Sequence, residues 1–204
     1  QRQWFDGLLQ QAQEVKPFVT NLPLNCTLPD RKREAWRYTD LSHLYQQMFS
    51  LPDRDDELHR KISFNDWIYA DNESYRLVLV NGVLRPDLSI LPDQPSVTLA
   101  PITSLNEQQQ QLMQQYLLST VEFNQDAFDE LNRSLSRESM LLHIGSNTVL
   151  DKPIELVHLH QPGSSNALNS TRSLVLMEKG AEATIVERFE HNDDSVYSVS
   201  YTHL

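Results

Sequence analysis

The sequence predicts an α+β protein whose helical, mixed N-terminal region, residues 1–138, gives way to a run of strands over 139–204. Three observations carry this. Apolar residues recur at helical spacing in several stretches before residue 138, and Tyr75-Arg-Leu-Val-Leu-Val80 followed by Asn81-Gly82 reads as a hairpin. After Glu138, five strand-like runs succeed one another with no helix-length pattern between them.

In residues 1–16, Trp4, Phe5, Leu8, Leu9, Ala12 and Val15 fall at near-helical spacing, which predicts an amphipathic helix that Pro17 helps to end. Prolines and asparagines over 17–29 predict an extended connector. Cys26 lies in it between Asn25 and Thr27, which do nothing to depress a thiol pKa, so it reads as inert. Residues 28–41, Leu-Pro-Asp-Arg-Lys-Arg-Glu-Ala-Trp-Arg-Tyr-Thr-Asp-Leu, are the most information-dense run. They hold no nucleophile beside a base, no metal-ligand spacing and no phosphate loop, and so suggest a docking joint. Arg31, Lys32, Arg33 and Arg37 make a basic cluster that reads as a solvated face, with an acidic partner as the alternative. Trp36 and Tyr38, at alternate positions of an extended segment, share a face and should anchor the joint to the body. Thr39 or Asp40 should cap a helix with Leu41, Leu44, Tyr45 and Met48 on its apolar side.

Residues 52–61 are charged and expected at the surface. In the hairpin, Asn81-Gly82 supplies the positive backbone angles of a type I′ turn, and Pro86 limits the return over 83–88 to an edge or a short strand. A further strand is expected at 97–100. Ser104 followed by Glu107 matches a capping box for a helix reaching Leu118, with Leu105, Leu112, Met113, Tyr116 and Leu117 inward and its run of glutamines as the wet face. A second helix over 125–136 carries Phe128, Leu131 and Leu135. This pair should cover a sheet or close the end of a solenoid. The strand runs are 140–144, 154–160, 172–177, 183–189 and 196–202, separated by Gly145, Pro153, Pro162-Gly163, Lys179-Gly180 and Asn192-Asp-Asp194. A sandwich, a barrel and a solenoid all fit that spacing.

With 204 residues, 39% of them hydrophobic, the chain can bury a sizeable core. A formal net charge of −11 argues against nucleic acid, whose readers need a basic stripe. One cysteine excludes an internal disulfide and fits a reducing compartment, so the cytoplasm is expected. No apolar run approaches the roughly 20 residues of a membrane helix, and no membrane partner is expected. The chain begins at Gln1 and ends inside a β-like run, as expected of part of a longer protein.

Taken together, three pieces resemble the SufB/SufD family of iron–sulfur cluster assembly proteins, the SufD branch most of all. They are the pattern Leu28-Pro-x-Arg-Lys-x-Glu-x-Trp-Arg-Tyr-Thr-x-Leu41, the strand and turn Leu77-Val-Leu-Val-Asn-Gly82, and Leu174-Val-Leu-Met-Glu-Lys-Gly-Ala-Glu-Ala-Thr-Ile-Val-Glu187 with its glycine-alanine corner. The resemblance implies that an N-terminal α/β region leads into the opening rungs of a right-handed parallel β-helix. It also implies a scaffold role beside SufB and the ATPase SufC in cluster assembly and iron supply, with flavin associated with the assembled complex. Family members continue for about as long again, through the part that binds SufC and assembles clusters. The chain is therefore expected to be the N-terminal half only, to be no enzyme, and to hold no catalytic, cofactor or metal residue. A β-helix cut after its first rungs should also self-associate through residues 196–204.

His158-x-His160 is the best metal-like pair, since alternate strand residues share a face. Gln161-Pro-Gly-Ser offers no further ligand, so the two read as surface histidines. Glu178, Glu182, Glu187 and Glu190 invite comparison with polysaccharide-acting β-helix enzymes, the alternative function, although spacing alone cannot set the carboxylate separation such chemistry needs. They read as solvent-facing acids.

Overall fold

The computed structural model describes residues 3, 4, 6–8, 10, 29, 31, 32, 34–51, 62, 73–119, 127–135, 139–161, 168–191 and 197–203. Cys26 and the charged run 52–61 lie outside them. The strands are β1 (Tyr75–Val80), β2 (Val83–Leu84), β3 (Val97–Pro101), β4 (Ser139–Ile144), β5 (Ile154–His160), β6 (Leu168–Met177), β7 (Ile185–His191) and β8 (Tyr197–His203); the helices are α1 (Glu107–Ser119) and α2 (Ala127–Leu135). Residues 3, 4, 6–8 and 10 are helical, in keeping with the amphipathic start.

The strands form two four-stranded sheets, β2-β1-β5-β7 and β3-β4-β6-β8. From β4 onward, successive strands alternate between them. Each return adds a strand parallel to the last one in that sheet, β5 to β7 and β6 to β8. Both sheets run across residue 138, because β1 pairs with β5 and β3 with β4.

This arrangement explains the continuous apolar run of β1, a strand buried on both faces. Leu77 and Leu79 join Met140, Leu142, Ile144, Ile154, Leu156 and Val175 in the core between the sheets. Val78 and Val80 pack with Val157 and Leu159 on the outer side. The turn follows expectation, with Asn81 at φ 47° and Gly82 at φ 79°. The Asn81 side chain also prolongs the ladder. It accepts from the Gln161 amide at 3.0 Å and donates to the Gln161 carbonyl at 3.1 Å, as a peptide unit would. Pro86 opens a 3₁₀ turn and β2 stops after two residues.

Corners also stack. The turn near Gly145 lies under the one near Gly180: Asn147 donates to the Lys179 carbonyl at 3.0 Å, and the Leu150 amide to that of Glu182 at 3.0 Å. Gly180 is required there, since its φ is +76° and a Cβ would lie 2.5 Å from Asn147 Oδ1.

Both helices cover the outer face of the second sheet. Met113 of α1 packs with Leu105, Leu141 and Leu174, and Leu131 and Leu135 of α2 pack with Leu8, Phe49 and Leu168. The cap of α1 differs from expectation. Asn106 and Gln109 form the reciprocal box, with bonds of 2.9 and 3.1 Å, while Ser104 donates to the Pro101 carbonyl at 2.9 Å. A 3₁₀ turn over Ile102–Ser104 precedes the helix and delays its start. The glutamines are not simply a wet face: Gln110 donates to the Leu105 carbonyl at 2.8 Å and Gln109 to Thr98 Oγ1 at 3.2 Å.

Candidate functional site

On β5, alternation points Ile154, Leu156, His158 and His160 into the space between the sheets, and on β6 it points Asn169, Thr171, Ser173 and Val175 there. The interior is therefore apolar toward the start of β5 and polar toward its end. His158 and His160 do share a face, but that face is the interior. They are 2% and 5% exposed, not the surface histidines the sequence suggested. The cause is the two-sheet closure, which covers the inward-facing side of β5, a strand buried along its whole length.

Buried polar groups require partners, and each of the two histidines has at least one. His158 Nε2 lies 2.8 Å from Glu187 Oε1, its Nδ1 lies 3.4 Å from Thr171 Oγ1, and its ring stacks on Phe189 at 4.6 Å with planes 9° apart. His160 Nδ1 meets the Asn169 amide at 2.7 Å. Glu187, His158 and Thr171 thus link β7, β5 and β6 across the interior. Among the described residues, no three His, Cys, Asp or Glu side chains are grouped so as to hold a metal ion.

Of the other acids, Glu182 is exposed, and Glu178 and Glu190 are engaged. Glu178 meets His143 Nε2 at 2.9 Å and accepts from the Ser146 amide at 3.0 Å, and Glu190 meets Arg188 Nη2 at 2.8 Å. Glu187 points inward and is largely covered, which corrects its reading as solvent-facing. It lies three residues from Glu190, on the opposite face of β7, so these two cannot flank one glycosidic bond.

Sequence reasoning missed two buried charge clusters. Between α2 and β6, Arg172 Nη1 lies 3.2 Å from Asp129 and from Asn132 Oδ1, and Asn132 donates to the Thr171 carbonyl at 2.8 Å. Outside the first sheet, Glu155 accepts from Ser74 at 3.0 Å and Arg188 at 3.3 Å, with Arg76 Nε 3.6 Å away. For the second cluster the sequence signal was present: Arg76 and Glu155 interrupt runs whose neighbours are apolar, whereas Arg172 sits between Thr171 and Ser173 and gives no such signal.

At the dense joint, Glu34–Trp36 is a 3₁₀ turn rather than an extended segment, which turns Trp36 and Tyr38 apart. Trp36 is half-buried against Phe128, centroids 5.6 Å apart, whereas Tyr38 is 90% exposed. Only Trp36 is an anchor. The helix expected over 41–48 is reduced to a 3₁₀ turn at Leu44–Gln46, leaving Met48 exposed. So short a run gains little from helix propagation, and its apolar residues are instead held by Phe49 in the core and by Ser50, whose carbonyl accepts from Leu168 at 3.0 Å. Asp40 caps locally, accepting from the Ser42 amide at 2.9 Å, with Arg31 at 2.6 Å. Those bonds to Ser42 hold its carboxyl below the usual range.

These features describe a two-sheet body whose polar side chains largely bind one another. Residues 22–156 match the family described as SufBD protein N-terminal region. The chain is 31% identical over 163 residues to the iron–sulfur cluster assembly SufBD family protein slr0076 of Synechocystis sp., covering 79% of this chain and 35% of the relative. It is 27% identical over 175 residues to the iron–sulfur cluster assembly protein SufD of Escherichia coli, covering 84% and 38%. The chain belongs to the SufB/SufD family. The matched part is little more than a third of these relatives' length. No helix among the described residues is long and apolar enough to cross a membrane.

Proposed function

We infer that this chain is the N-terminal part of a SufD-type scaffold subunit, acting in the cytoplasm with SufB and the ATPase SufC to assemble iron–sulfur clusters and supply iron. The observation that carries this is the alternation of parallel strands between two sheets, in a chain whose matched relatives are cluster assembly proteins. On this reading β4 to β8 are the opening rungs of a right-handed parallel β-helix, and the stacked corners at Gly145 and Gly180 are its rung-to-rung contacts. The chain catalyses no reaction itself. The SufC-binding and cluster-assembling surfaces, and any flavin of the complex, belong to the remaining length of the protein. As an isolated chain it self-associates through the outer edges of β7 and β8.

Two experiments test this. Deleting the encoding gene should lower the activity of a [4Fe–4S] enzyme per unit of protein under iron limitation; unchanged activity refutes the assembly role. In a pull-down, the 204-residue chain alone should leave SufC unbound, and retention with the affinity of a full-length SufD refutes the division of labour.

A further inference from the structure

Asn81-Gly82 is the one Asn-Gly pair in the sequence. Asparagine before glycine is the dipeptide most prone to lose its amide, because the glycine has no side chain to shield its backbone nitrogen from the asparagine Cγ. In that reaction the Gly82 nitrogen attacks Asn81 Cγ, and a C–N bond forms as the Cγ–Nδ2 bond breaks. Ammonia leaves, taking the proton of the Gly82 amide, and a five-membered imide remains. Water then opens the imide at either carbonyl to give aspartate or isoaspartate.

The asparagine of a turn is ordinarily in water; this one is 4% exposed. Its Oδ1 accepts from the Gln161 amide at 3.0 Å, its Nδ2 donates to the Gln161 carbonyl at 3.1 Å, and its own backbone amide donates to the Leu159 carbonyl at 3.0 Å. Three bonds thus fix both the side chain and the backbone of the reacting residue to the end of β5. Gly82 is closed in by β6, since a Cβ there would meet Thr171 Cγ2 at 3.6 Å and the Ser170 carbonyl oxygen at 3.7 Å. Cγ can swing onto the Gly82 nitrogen only when both side-chain bonds to Gln161 break.

We propose that Asn81 is a deamidation site gated by the contact between this turn and the end of β5. Closed, the contact protects the amide; open, it releases the most labile amide of the chain. The step runs one way. Aspartate sets an oxygen where Nδ2 had donated, so that two acceptors face each other at the Gln161 carbonyl, and isoaspartate adds a methylene to the backbone of the turn. Neither product restores the pair, and a transient opening becomes a lasting loss of contact between the two strands. The inference is independent of the assembly role above.

Peptide mapping by mass spectrometry tests it, with an isoaspartate methyltransferase as the probe for the second product. The intact chain and a peptide of residues 77–86 are incubated in the same mildly alkaline buffer. Opening is fast beside deamidation, so the folded chain reacts at the peptide's rate multiplied by its open fraction, and should be slower by about tenfold or more. Urea that unfolds the chain should restore the peptide's rate. Gln161→Pro removes the amide that Oδ1 accepts from while keeping His160 extended, and should bring the folded chain closer to the peptide. Asn81→Asp should melt below the parent chain, because aspartate tolerates the left-handed backbone as asparagine does and the change falls on the donor to Gln161. The proposal is overturned by a folded chain that deamidates at Asn81 as fast as the peptide, by an unfolded chain in which Asn81 stays intact, or by a Gln161→Pro chain with the parent's rate. Equal melting of Asn81→Asp and the parent overturns the lasting loss of contact.

Discussion

At the start of the two-sheet body, β2 and β3 run antiparallel to the strands they pair with. At the far end, β7 and β8 run parallel to theirs and have no further strand beside them among the described residues. The start is finished: Leu77, Val78, Leu79 and Val80 are all buried. The far end is not, for Phe189 is 48% exposed although its ring faces the interior and stacks on His158. Antiparallel pairing can terminate a sheet within a short hairpin, whereas a parallel edge presents the same ladder groups its neighbour used. Among the described residues, the unpaired parallel ladder groups are those on the outer edges of β7 and β8.

The largest expected effect is at a residue that ties the two ends together. Glu155 on β5 bonds Ser74 and lies beside Arg76 on the starting strand, and it bonds Arg188 on the last strand of its sheet. Glu155→Ala leaves Arg76 buried opposite no carboxylate at that position and should cost about 3–5 kcal/mol in urea denaturation. A loss under about 1 kcal/mol would mean that the two ends are not coupled through this residue.

Next is a direct contrast of the two ends. Leu77→Ala, at a fully buried position, should cost about 2–5 kcal/mol. Phe189→Ala, with half of its surface already in water, should cost less than about 1.5 kcal/mol. Equal losses in thermal melts would show that the far end is covered in solution.

Smaller again is the corner contact. Gly180→Ala combines a positive φ with a clash against Asn147 and should cost about 1–3 kcal/mol. Asn147→Gly removes the clashing amide but not the backbone penalty, so the double variant should recover part of the loss. A strictly additive cycle would show that the corners do not touch.

Strand existence was legible in the sequence because apolar runs and turn residues are local signals. The Asn81-Gly82 hairpin and the runs over 140–144 and 154–160 fall where expected. Sheet membership was not legible, since nothing in the residues of β5 says that its neighbours are β1 and β7. The start of β6 was missed for a related reason: Asn169 and Thr171 look like loop residues, yet they face histidines across a buried interior. Polarity was taken as exposure, and long-range pairing overrode it. At the joint the error was one of backbone geometry. A two-residue alternation aligns Trp36 with Tyr38 only in an extended chain, and the 3₁₀ turn there separates them.

The smallest effect is electrostatic and lies at the stacked corner. Glu178 is held below its ordinary value of 4.5 chiefly by the Ser146 hydroxyl, then by His143 and the Ser146 amide. The fold therefore favours the carboxylate over the carboxylic acid, relative to the unfolded chain. The stability this group contributes is present above that ordinary value and is lost as pH falls through the lower folded one. Because Glu178 is exposed, the contribution is screened and small. Melting temperatures of the chain and of Glu178→Gln should differ near neutral pH and converge in acid. A difference that persists unchanged below pH ~3 would show that the variant acts through lost packing instead.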